Sequence, residues 1–296
     1  MAYDIQKAMR IWAPEGEVRA VVQIIHGMAE YIGRYERAAL EMNRHGIAVA
    51  GLDLRGHGEQ AELKGYFADR DGWDHLVTDA HDLTLLLKKR FPGVPFVLMG
   101  HSMGSFVARE YAIRYNSEID ALVLSGTGHY PKGLCMAGRL LAALSPRRSP
   151  ARLVDKIAFS GNNKPFEPGR TPFDWLSRDE KEVDKYIASD LCGFCFTGSA
   201  FHDFFGGLIG LTKTDRLASI RKDLPVLLIS GDADPVGQMG AGVKQTAEEY
   251  KAAGLQDVTC KLYPGARHEL LNETNRDEVT EYLIRQVLRM TGVEKA

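Results

Sequence analysis

The sequence predicts an α/β protein whose mostly parallel central sheet carries helices on both faces and is interrupted by a helical insertion. Three observations lead to this class. Short apolar stretches alternate with helical stretches through residues 1–126. The alternation stops over residues 127–222, where proline-bearing loops and scattered helical segments replace it, and it resumes over residues 223–296. Strands that alternate with helices need crossover connections, so they run parallel and are buried on both faces.

Each predicted strand is a short apolar run that ends at glycine or at a polar residue. The strands are predicted over residues 18–25, 47–53, 96–99, 121–124, 225–230 and 258–263. Between them the apolar residues recur at helical spacing, as Leu76, Leu83 and Leu87 do. The helices are predicted over residues 33–44, 72–90, 102–115, 240–253 and 277–289. We therefore expect one α/β core from residues 1–126 and 223–296, with residues 127–222 inserted as a helical cap.

The most apolar part of this cap is the segment 191–212, LCGFCFTGSAFHDFFGGLIGLT. Its length approaches that of a membrane-spanning helix. However, Asp203, His202 and several glycines interrupt it, and its flanking sequences do not have the pattern that sets a membrane topology. We expect a packed helical cap, either with a core of its own or with an apolar face turned toward a binding site.

Charge and composition exclude several classes of function. The chain has 296 residues and a net charge of −2, and its opposite charges are interspersed. Nucleic-acid binding and a polybasic membrane anchor are therefore not expected. The first sixteen residues lack the continuous apolar stretch of a secretory signal, so the sequence predicts a cytoplasmic protein.

The four cysteines do not form a disulfide framework in a chain of this length. Cys192 and Cys195 make an isolated C-x-x-C pair, and a structural zinc site would need two further soft ligands at suitable spacing. We expect ordinary reduced thiols, with redox chemistry of this pair as the alternative. No metal ion and no cofactor is predicted.

The stretch Gly100-His-Ser-Met-Gly104 matches the pattern G-x-S-x-G between a predicted strand and a predicted helix. This context is that of a nucleophile elbow, where the serine adopts an unfavourable backbone conformation on a sharp turn. Side chains two residues before and after the serine would collide, so both positions need glycine. The helix that follows directs its N–H groups toward the reaction centre, where they favour an oxyanion. Ser102 is therefore the predicted nucleophile.

A serine hydroxyl needs a general base, and the base needs an orienting carboxylate. In this architecture the three follow one another along the chain as Ser, acid and His. Loops after the last two predicted strands carry Asp232, Asp234 and His268. These loops lie at the carboxyl edge of the sheet, where the elbow also lies. His268 is the predicted base and Asp234 the predicted acid, with Asp232 as the alternative acid.

Five motifs in this order resemble those of the monoacylglycerol lipase and lysophospholipase family, which consists of serine hydrolases with the α/β-hydrolase fold. They are His26-Gly-Met-Ala-Glu30, Asp53-Leu-Arg-Gly-His-Gly58, Gly100-His-Ser-Met-Gly104, Gly231-Asp-Ala-Asp-Pro-Val236 and His268. The resemblance implies that Asp234, three residues after Gly231, is the acid. It also implies an oxyanion hole formed by the backbone N–H groups of Met28 and Met103. The Glu59-Gln60 pair departs from the small polar residue that usually follows the second motif.

The family's cap admits an acyl chain, and this cap offers a run of large apolar side chains. Phe201, Phe204 and Phe205 are the predicted substrate contacts, and His202 beside them is a candidate polar contact. The alternative is that these rings only pack the cap's own core. Among the other histidines, we expect His26 and His57 to form the floor of the site, and the ring of His101 to point away from it.

These observations predict a hydrolase that cleaves carboxylic esters through an acyl-enzyme, with a monoacylglycerol-like or lysophospholipid-like substrate. A transient contact of the cap with a membrane surface would suit such a substrate. An aminopeptidase, amidase or acyltransferase on the same scaffold is the first alternative. The acidic cluster that could hold a substrate ammonium group comprises Asp179, Glu180, Glu182 and Asp184. A binding protein without catalysis is the second alternative.

Overall fold

A computed structural model describes residues 3–293 and contains a sheet of seven strands. The strands are β1 (Met9–Trp12), β2 (Ala20–Ile25), β3 (Ile47–Leu52), β4 (Phe96–His101), β5 (Ala121–Ser125), β6 (Val226–Gly231) and β7 (Val258–Tyr263). Their spatial order is β1-β3-β2-β4-β5-β6-β7. Strands β2 to β7 pair in parallel, and β1 pairs antiparallel with β3 at one edge. The predicted α/β-hydrolase fold is confirmed.

Helices flank the sheet and also form the segment between β5 and β6. The helices of the core are α1 (Ile5–Ala8), α2 (Glu36–Asn43), α3 (Gly72–Arg90), α4 (Met103–Tyr115), α9 (Ala241–Ala252) and α10 (Arg276–Met290). The helices between β5 and β6 are α5 (Lys132–Ala143), α6 (Arg152–Phe159), α7 (Glu180–Ala188) and α8 (Gly198–Leu211). Short 3₁₀ helices cover Ile32–Tyr35, Asn116–Glu118, Lys164–Phe166, Asp174–Leu176, Thr214–Ser219 and Leu270–Asn272.

Alternate residues of the central strands face two separate hydrophobic layers, as the two-residue period of a strand requires. In β4, Val97 and Met99 face the layer that α2 and α10 cover. Phe96 and Leu98 face the layer that α3, α4 and α9 cover. Both layers are needed because strands β2 to β6 are completely buried.

The helix α8 joins the segment between β5 and β6 to the rest of the fold, because small residues let aromatic rings approach it closely. A Cβ atom at Gly207 would lie 2.2 Å from the ring of Trp73, so only glycine leaves room for that ring. Phe204 of α8 packs against Trp73 and against Phe106 of α4. Thr197 caps the start of α8 by accepting a hydrogen bond from the backbone N–H of Ala200. The segment between β5 and β6 and the rest of the fold therefore share one hydrophobic cluster.

The structure differs from the sequence-based expectation in the first strand and in one predicted helix. Strand β1 was not predicted, because in its four residues only Trp12 is fully buried. The predicted helix 33–44 is divided into the 3₁₀ helix Ile32–Tyr35 and α2. The apolar segment 191–212 is helical only within α8, and residues 3–293 contain no helix that is long and apolar enough to cross a membrane.

All four cysteines are free thiols. Burial raises the pKa values of Cys192 and Cys195 to about 11. Both thiols are thus protonated at neutral pH, a state that disfavours nucleophilic or redox chemistry.

Candidate active site

Ser102 lies at a sharp turn between β4 and α4, in a strained backbone conformation. Its φ is 52° and its ψ is −123°, a combination that a residue with a Cβ atom rarely adopts. A Cβ atom at Gly100 would lie 2.3 Å from the carbonyl oxygen of Gly104, and one at Gly104 would lie 2.0 Å from that of Ile25. Both glycines of the G-x-S-x-G pattern are therefore required by close backbone contacts.

Hydrogen bonds hold this turn in place. The N–H of Ser102 donates to the carbonyl oxygen of Ser125 at the end of β5, at 2.9 Å. The carbonyl oxygen of Ser102 accepts from the hydroxyl of Ser105 at 2.6 Å. The Ser102 side chain is partly exposed and faces a large cavity. The fold thus presents one hydroxyl, at the start of a helix, to a space that a ligand could fill.

The structure brings Asp234 and His268 together on the loops that follow β6 and β7. Both side chains are buried, and the imidazole Nδ1 lies 2.9 Å from the carboxylate Oδ2. The carboxylate also accepts from the Ser230 hydroxyl at 3.0 Å and from the N–H of Val236 at 2.9 Å. These donors fix the carboxylate, which in turn fixes the proton on Nδ1 and leaves Nε2 as a base.

The same contacts shift both pKa values. Burial alone would raise the pKa of Asp234, but the attraction of His268 and three hydrogen bonds lower it below its usual range. Burial alone would lower the pKa of His268, but its interaction with Asp234 raises the pKa above the ordinary value of 6.5. Asp234 is thus an anion at neutral pH, and the protonated form of His268 is stabilised.

The alternative acid, Asp232, lies outside this arrangement. It is exposed, and its carboxylate accepts a hydrogen bond from the N–H of Gly265 at 2.7 Å. That contact joins the two loops near their start. The geometry therefore favours Asp234 as the partner of His268.

Residues of the segment between β5 and β6 hold the His268 loop from the other side. The N–H of His268 donates to the carbonyl oxygen of Trp175 at 3.4 Å, and the N–H of Glu269 donates to that of Leu176 at 2.7 Å. The indole of Trp175 lies with its centroid 5.1 Å from that of the imidazole. The base therefore lies between the sheet edge and the cap.

Three successive peptide groups of the loop 26–30, the candidate oxyanion loop, are fixed by side chains. The N–H of Gly27 donates to Glu30 Oε1 at 2.5 Å. His26 Nδ1 donates to the carbonyl oxygen of Gly27 at 2.8 Å, because His26 Nε2 accepts from the N–H of Leu54. The N–H of Ala29 donates to His57 Nε2 at 3.2 Å. Both imidazoles were expected to form the floor of the site; they support the loop through these contacts, but neither is among the residues that line the cavity facing Ser102.

Met28 and Met103, the predicted oxyanion residues, both line the cavity that Ser102 faces. Met28 lies in the middle of the fixed loop, and Met103 is the first residue of α4. The carbonyl oxygen of Gly27 points to His26. The N–H of Met28 lies on the opposite side of the same planar peptide group, so it points away from His26.

The ring of His101 was expected to point away from the site, but in the structure it lies beside His268. Its centroid lies 4.8 Å from that of His268, and the side chain is buried against the cavity. The reason is the absence of a side chain at Gly126, where a Cβ atom would lie 2.9 Å from His268 and 3.2 Å from His101. Burial and the adjacent His268 lower the pKa of His101 to about 4, so this ring is neutral at neutral pH.

A buried ion network beside the site had no signal in the sequence. The guanidinium of Arg34 donates two hydrogen bonds to the carboxylate of Glu269, at 2.5 and 2.6 Å, and one to Glu30 at 3.0 Å. The hydroxyl of Tyr35 donates to Glu30 as well, at 2.9 Å. Arg34 and Glu269 are 235 residues apart, so only the folded chain reveals their pairing.

The cavity above Ser102 has a volume of about 630 Å³ and is apolar over most of its wall. This volume is within the range of pockets for small organic ligands. The apolar wall includes Phe106, Leu134, Leu141, Val154, Ile157, Phe204, Phe205 and Leu208. Its carboxylates are Glu30, Asp155 and Glu269, and other polar groups include Tyr186 and Trp175.

Of the four predicted substrate contacts, Phe204 and Phe205 line this cavity, whereas Phe201 and His202 do not. Phe201 is completely buried within the cap, against Phe159 and Phe196. His202 is turned outward and accepts a hydrogen bond from Arg139. The direct contacts predicted for Phe201 and His202 are therefore not supported, because only part of α8 faces the cavity.

Comparison with known proteins agrees with this geometry. The fold and the arrangement at the carboxyl edge of the sheet define an α/β hydrolase, and a family model described as serine aminopeptidase, S33, matches residues 16–275. The chain belongs to this family and, within it, to the monoacylglycerol lipase group of α/β hydrolases. It is a carboxylic ester hydrolase.

Individual relatives are similar over nearly their whole length. A monoacylglycerol lipase of Mycolicibacterium smegmatis is 29% identical over 93% of this chain and 91% of its own. A monoglyceride lipase of Rattus norvegicus is 27% identical over 94% of this chain and 84% of its own. The crystal structure of a thermostable carboxyl esterase from Bacillus coagulans, in complex with glycerol, has a TM-score of 0.88 and 28% identity, with coverage of 96% and 94%.

Proposed function

We propose that the protein hydrolyses long-chain acyl esters of small alcohols through an acyl-enzyme formed on Ser102. The observation that supports this most is the buried Asp234–His268 hydrogen bond beside the strained Ser102 turn, with both His268 and Ser102 lining one apolar cavity. The relatives described as monoacylglycerol lipases support a monoacylglycerol-like substrate. A lysophospholipid-like substrate would use the same acyl wall.

The chemistry follows from the protonation states. His268 Nε2 takes the proton of Ser102 as the oxygen attacks the ester carbonyl carbon, and Asp234 stabilises the imidazolium that forms. The negative charge on the carbonyl oxygen is stabilised by the N–H groups of Met28 and Met103. The imidazolium then protonates the departing alcohol as the ester bond breaks. A water molecule, deprotonated by the same nitrogen, attacks the acyl carbon and releases the carboxylic acid and the free Ser102 hydroxyl.

The apolar wall of the cavity favours an acyl chain on the cap side. Residues 127–222 supply most of this wall, and we propose that they act as a cap over the core formed by residues 1–126 and 223–296. Each methylene group that leaves water in such a cavity contributes up to about 0.8 kcal/mol. The polar groups Glu30 and Glu269 would then lie near the alcohol part of the substrate.

An aminopeptidase or amidase is the alternative that the family description keeps open. Its substrate ammonium group would need an available carboxylate. The acidic cluster on α7 lies outside the cavity: Asp179 pairs with Arg276, Glu182 with Lys185 and Asp184 with Arg170, while Glu180 is largely exposed. Glu30 and Glu269 line the cavity but are bound to Arg34. Asp155 is the remaining carboxylate on the described wall, and burial raises its pKa, which disfavours an ion pair there.

The outer face of the cap supports a contact with a membrane surface. Large apolar side chains that do not line the cavity, on α5, directly after it and on α6, are 54–78% exposed, namely Met136, Leu140, Leu144 and Leu153. Residues 131–160 hold six basic side chains and one acidic one, although the whole chain carries −2. Such a face would favour an anionic lipid surface. Leu140→Glu with Leu144→Glu should reduce sedimentation with phosphatidylglycerol vesicles, whereas Leu40→Glu on α2 should not.

A labelling and substrate experiment tests the main proposal. Ser102→Ala should abolish labelling by a fluorophosphonate and lower kcat by a factor on the order of 10⁴ to 10⁶. Ser117→Ala, at an exposed serine, is the matched control and should change neither. Monoacylglycerols, lysophospholipids and p-nitrophenyl esters should be cleaved much faster than aminoacyl-anilides. Persistent labelling of Ser102→Ala, or a preference for the anilides, would overturn the proposal.

A further inference from the structure

The candidate oxyanion loop contains a strained residue that is not glycine. Ala29 has φ at 51°, in the left-handed region where its Cβ atom crowds the backbone. The residue is buried. Backbone of this kind persists only where its surroundings hold it, and such strain is characteristic of functional sites.

The contacts that hold Ala29 come from the core on one side and from the cap on the other. The Ala29 N–H donates to His57 Nε2 in the core at 3.2 Å. The Ala29 carbonyl oxygen accepts from the hydroxyl of Tyr186 at 3.0 Å and from the N–H of Gly193 at 2.9 Å. Both of these donors belong to residues 127–222. The peptide group after Ala29 is thus oriented by the cap.

The Tyr186 side chain has little freedom to leave this position. It is buried, its ring lies over the guanidinium of Arg34 at 5.0 Å, and the ring of Phe173 lies 5.2 Å away. Arg34 is itself held by its two hydrogen bonds to Glu269, the neighbour of His268. The packing of the ring therefore holds the hydroxyl in position to donate to the carbonyl oxygen of Ala29.

We propose that Tyr186 is a positioning residue, whose hydroxyl holds Ala29 in its left-handed conformation and so directs the Met28 N–H toward the oxyanion. This inference rests on the proposed function, because it takes Met28 as an oxyanion donor. It couples the docking of the cap to catalysis: the oxyanion hole is complete only while α7 lies against the loop. An enzyme whose cap is displaced at this point would still bind substrate but would react slowly.

The direct test is Tyr186→Phe, which removes the hydroxyl and keeps the ring over Arg34. A displacement on the order of 1 Å at a reacting group costs up to about 10²-fold in rate, so we expect kcat to fall tenfold or more while KM changes less than twofold. A trifluoromethyl ketone, which forms an oxyanion on the serine, should bind more weakly by the same factor as kcat falls. Affinity for a fatty alcohol, which forms none, should stay the same.

Tyr263→Phe is the matched control, because the Tyr263 hydroxyl is buried in β7 and has no hydrogen-bond partner among residues 3–293. It should leave kcat unchanged. Ala29→Gly supplies a second readout, since glycine adopts the left-handed conformation without strain. If Tyr186 acts through Ala29, Tyr186→Phe should cost less in the Ala29→Gly background. An equal loss in both backgrounds would mean that the hydroxyl acts on substrate directly, and the proposal would fail.

Other outcomes separate this proposal from the proposed function. Wild-type kcat in Tyr186→Phe, together with an inactive Ser102→Ala, would overturn the positioning role alone. Activity in Ser102→Ala would overturn both. If Tyr186→Phe lowers the melting temperature markedly, the affinities for the ketone and for the fatty alcohol are measured at low temperature, where the variant is folded. The ratio of the two affinities then tests the positioning role. An unchanged ratio contradicts the proposal.

Discussion

The rings of His101 and His268 lie with their centroids 4.8 Å apart at the carboxyl edge of the sheet, and both are buried. Two imidazolium ions at this distance would repel each other strongly. The pKa of His101 is lowered to about 4, whereas the pKa of His268 is raised by its interaction with Asp234. Of these two rings, His268 is therefore the one expected to take up a proton at the higher pH.

This difference predicts the pH dependence of catalysis. The base must be neutral to accept the Ser102 proton, so kcat/KM should fall as the pH decreases through the pKa of His268. Because that pKa lies above 6.5, the midpoint of the acid limb should lie above 6.5 and should involve one proton. The check is a kcat/KM profile from pH 5 to 9 with a p-nitrophenyl ester. A midpoint at or below pH 6 would contradict the assignment.

The two carboxylates of the β6 loop should differ greatly in their effect on catalysis. Asp234 is buried and holds His268, whereas Asp232 is exposed and accepts only the Gly265 N–H among the hydrogen bonds described. Asp234→Asn should lower kcat by a factor on the order of 10⁴, since an amide stabilises the wrong imidazole tautomer. Asp232→Asn should reduce kcat less than tenfold. Comparable losses in the two variants would show that the acid is misassigned.

The elbow glycines should be required for stability as well as for catalysis. A Cβ atom at Gly104 would overlap the carbonyl oxygens of Ile25 and His26, at 2.0 and 2.5 Å. Gly104→Ala should lower the free energy of unfolding by on the order of 3 kcal/mol or more. The contacting atoms belong to the backbone of β2 and the residue after it, which cannot change rotamer to make room as a side chain could. A Cβ atom at Gly133 on α5 would have no atom within 4 Å. Gly133→Ala should therefore leave the free energy of unfolding unchanged or raise it slightly. Urea denaturation of both variants makes the comparison.

Much of the fold and the candidate triad can be predicted from the sequence because their signals are local. Ser102, Asp234 and His268 each follow a strand directly, and the parallel sheet brings such positions to one edge. The Arg34–Glu269 pair has no local signal, because two ordinary charged residues meet only after 235 residues of chain have folded. The antiparallel strand β1 was missed for a related reason, since its four residues bury one side chain fully and depend on pairing with β3.

The cap was the least predictable part, because the helical period alone does not say which face of α8 meets the substrate. Phe201, Phe204 and Phe205 lie on one apolar helix, and all three were expected to contact an acyl chain. The packing of Gly207 against Trp73 fixes the rotation of this helix. As a result, Phe204 and Phe205 face the cavity and Phe201 faces the interior of the cap.

That rotation predicts opposite effects for two neighbouring phenylalanines. Phe205→Ala enlarges the cavity, so the optimum of kcat/KM along an acyl series from two to sixteen carbons should shift or broaden, with a modest change in stability. Phe201→Ala leaves a void inside the cap and should lower the free energy of unfolding by about 3–5 kcal/mol. The chain-length profile of Phe201→Ala should keep the wild-type optimum, because its ring does not line the cavity. The measurements are kcat/KM for each ester and thermal unfolding of both variants. An optimum at two or four carbons that neither substitution moves would contradict the acyl pocket and would leave a small-ester hydrolase with an aromatic structural cap.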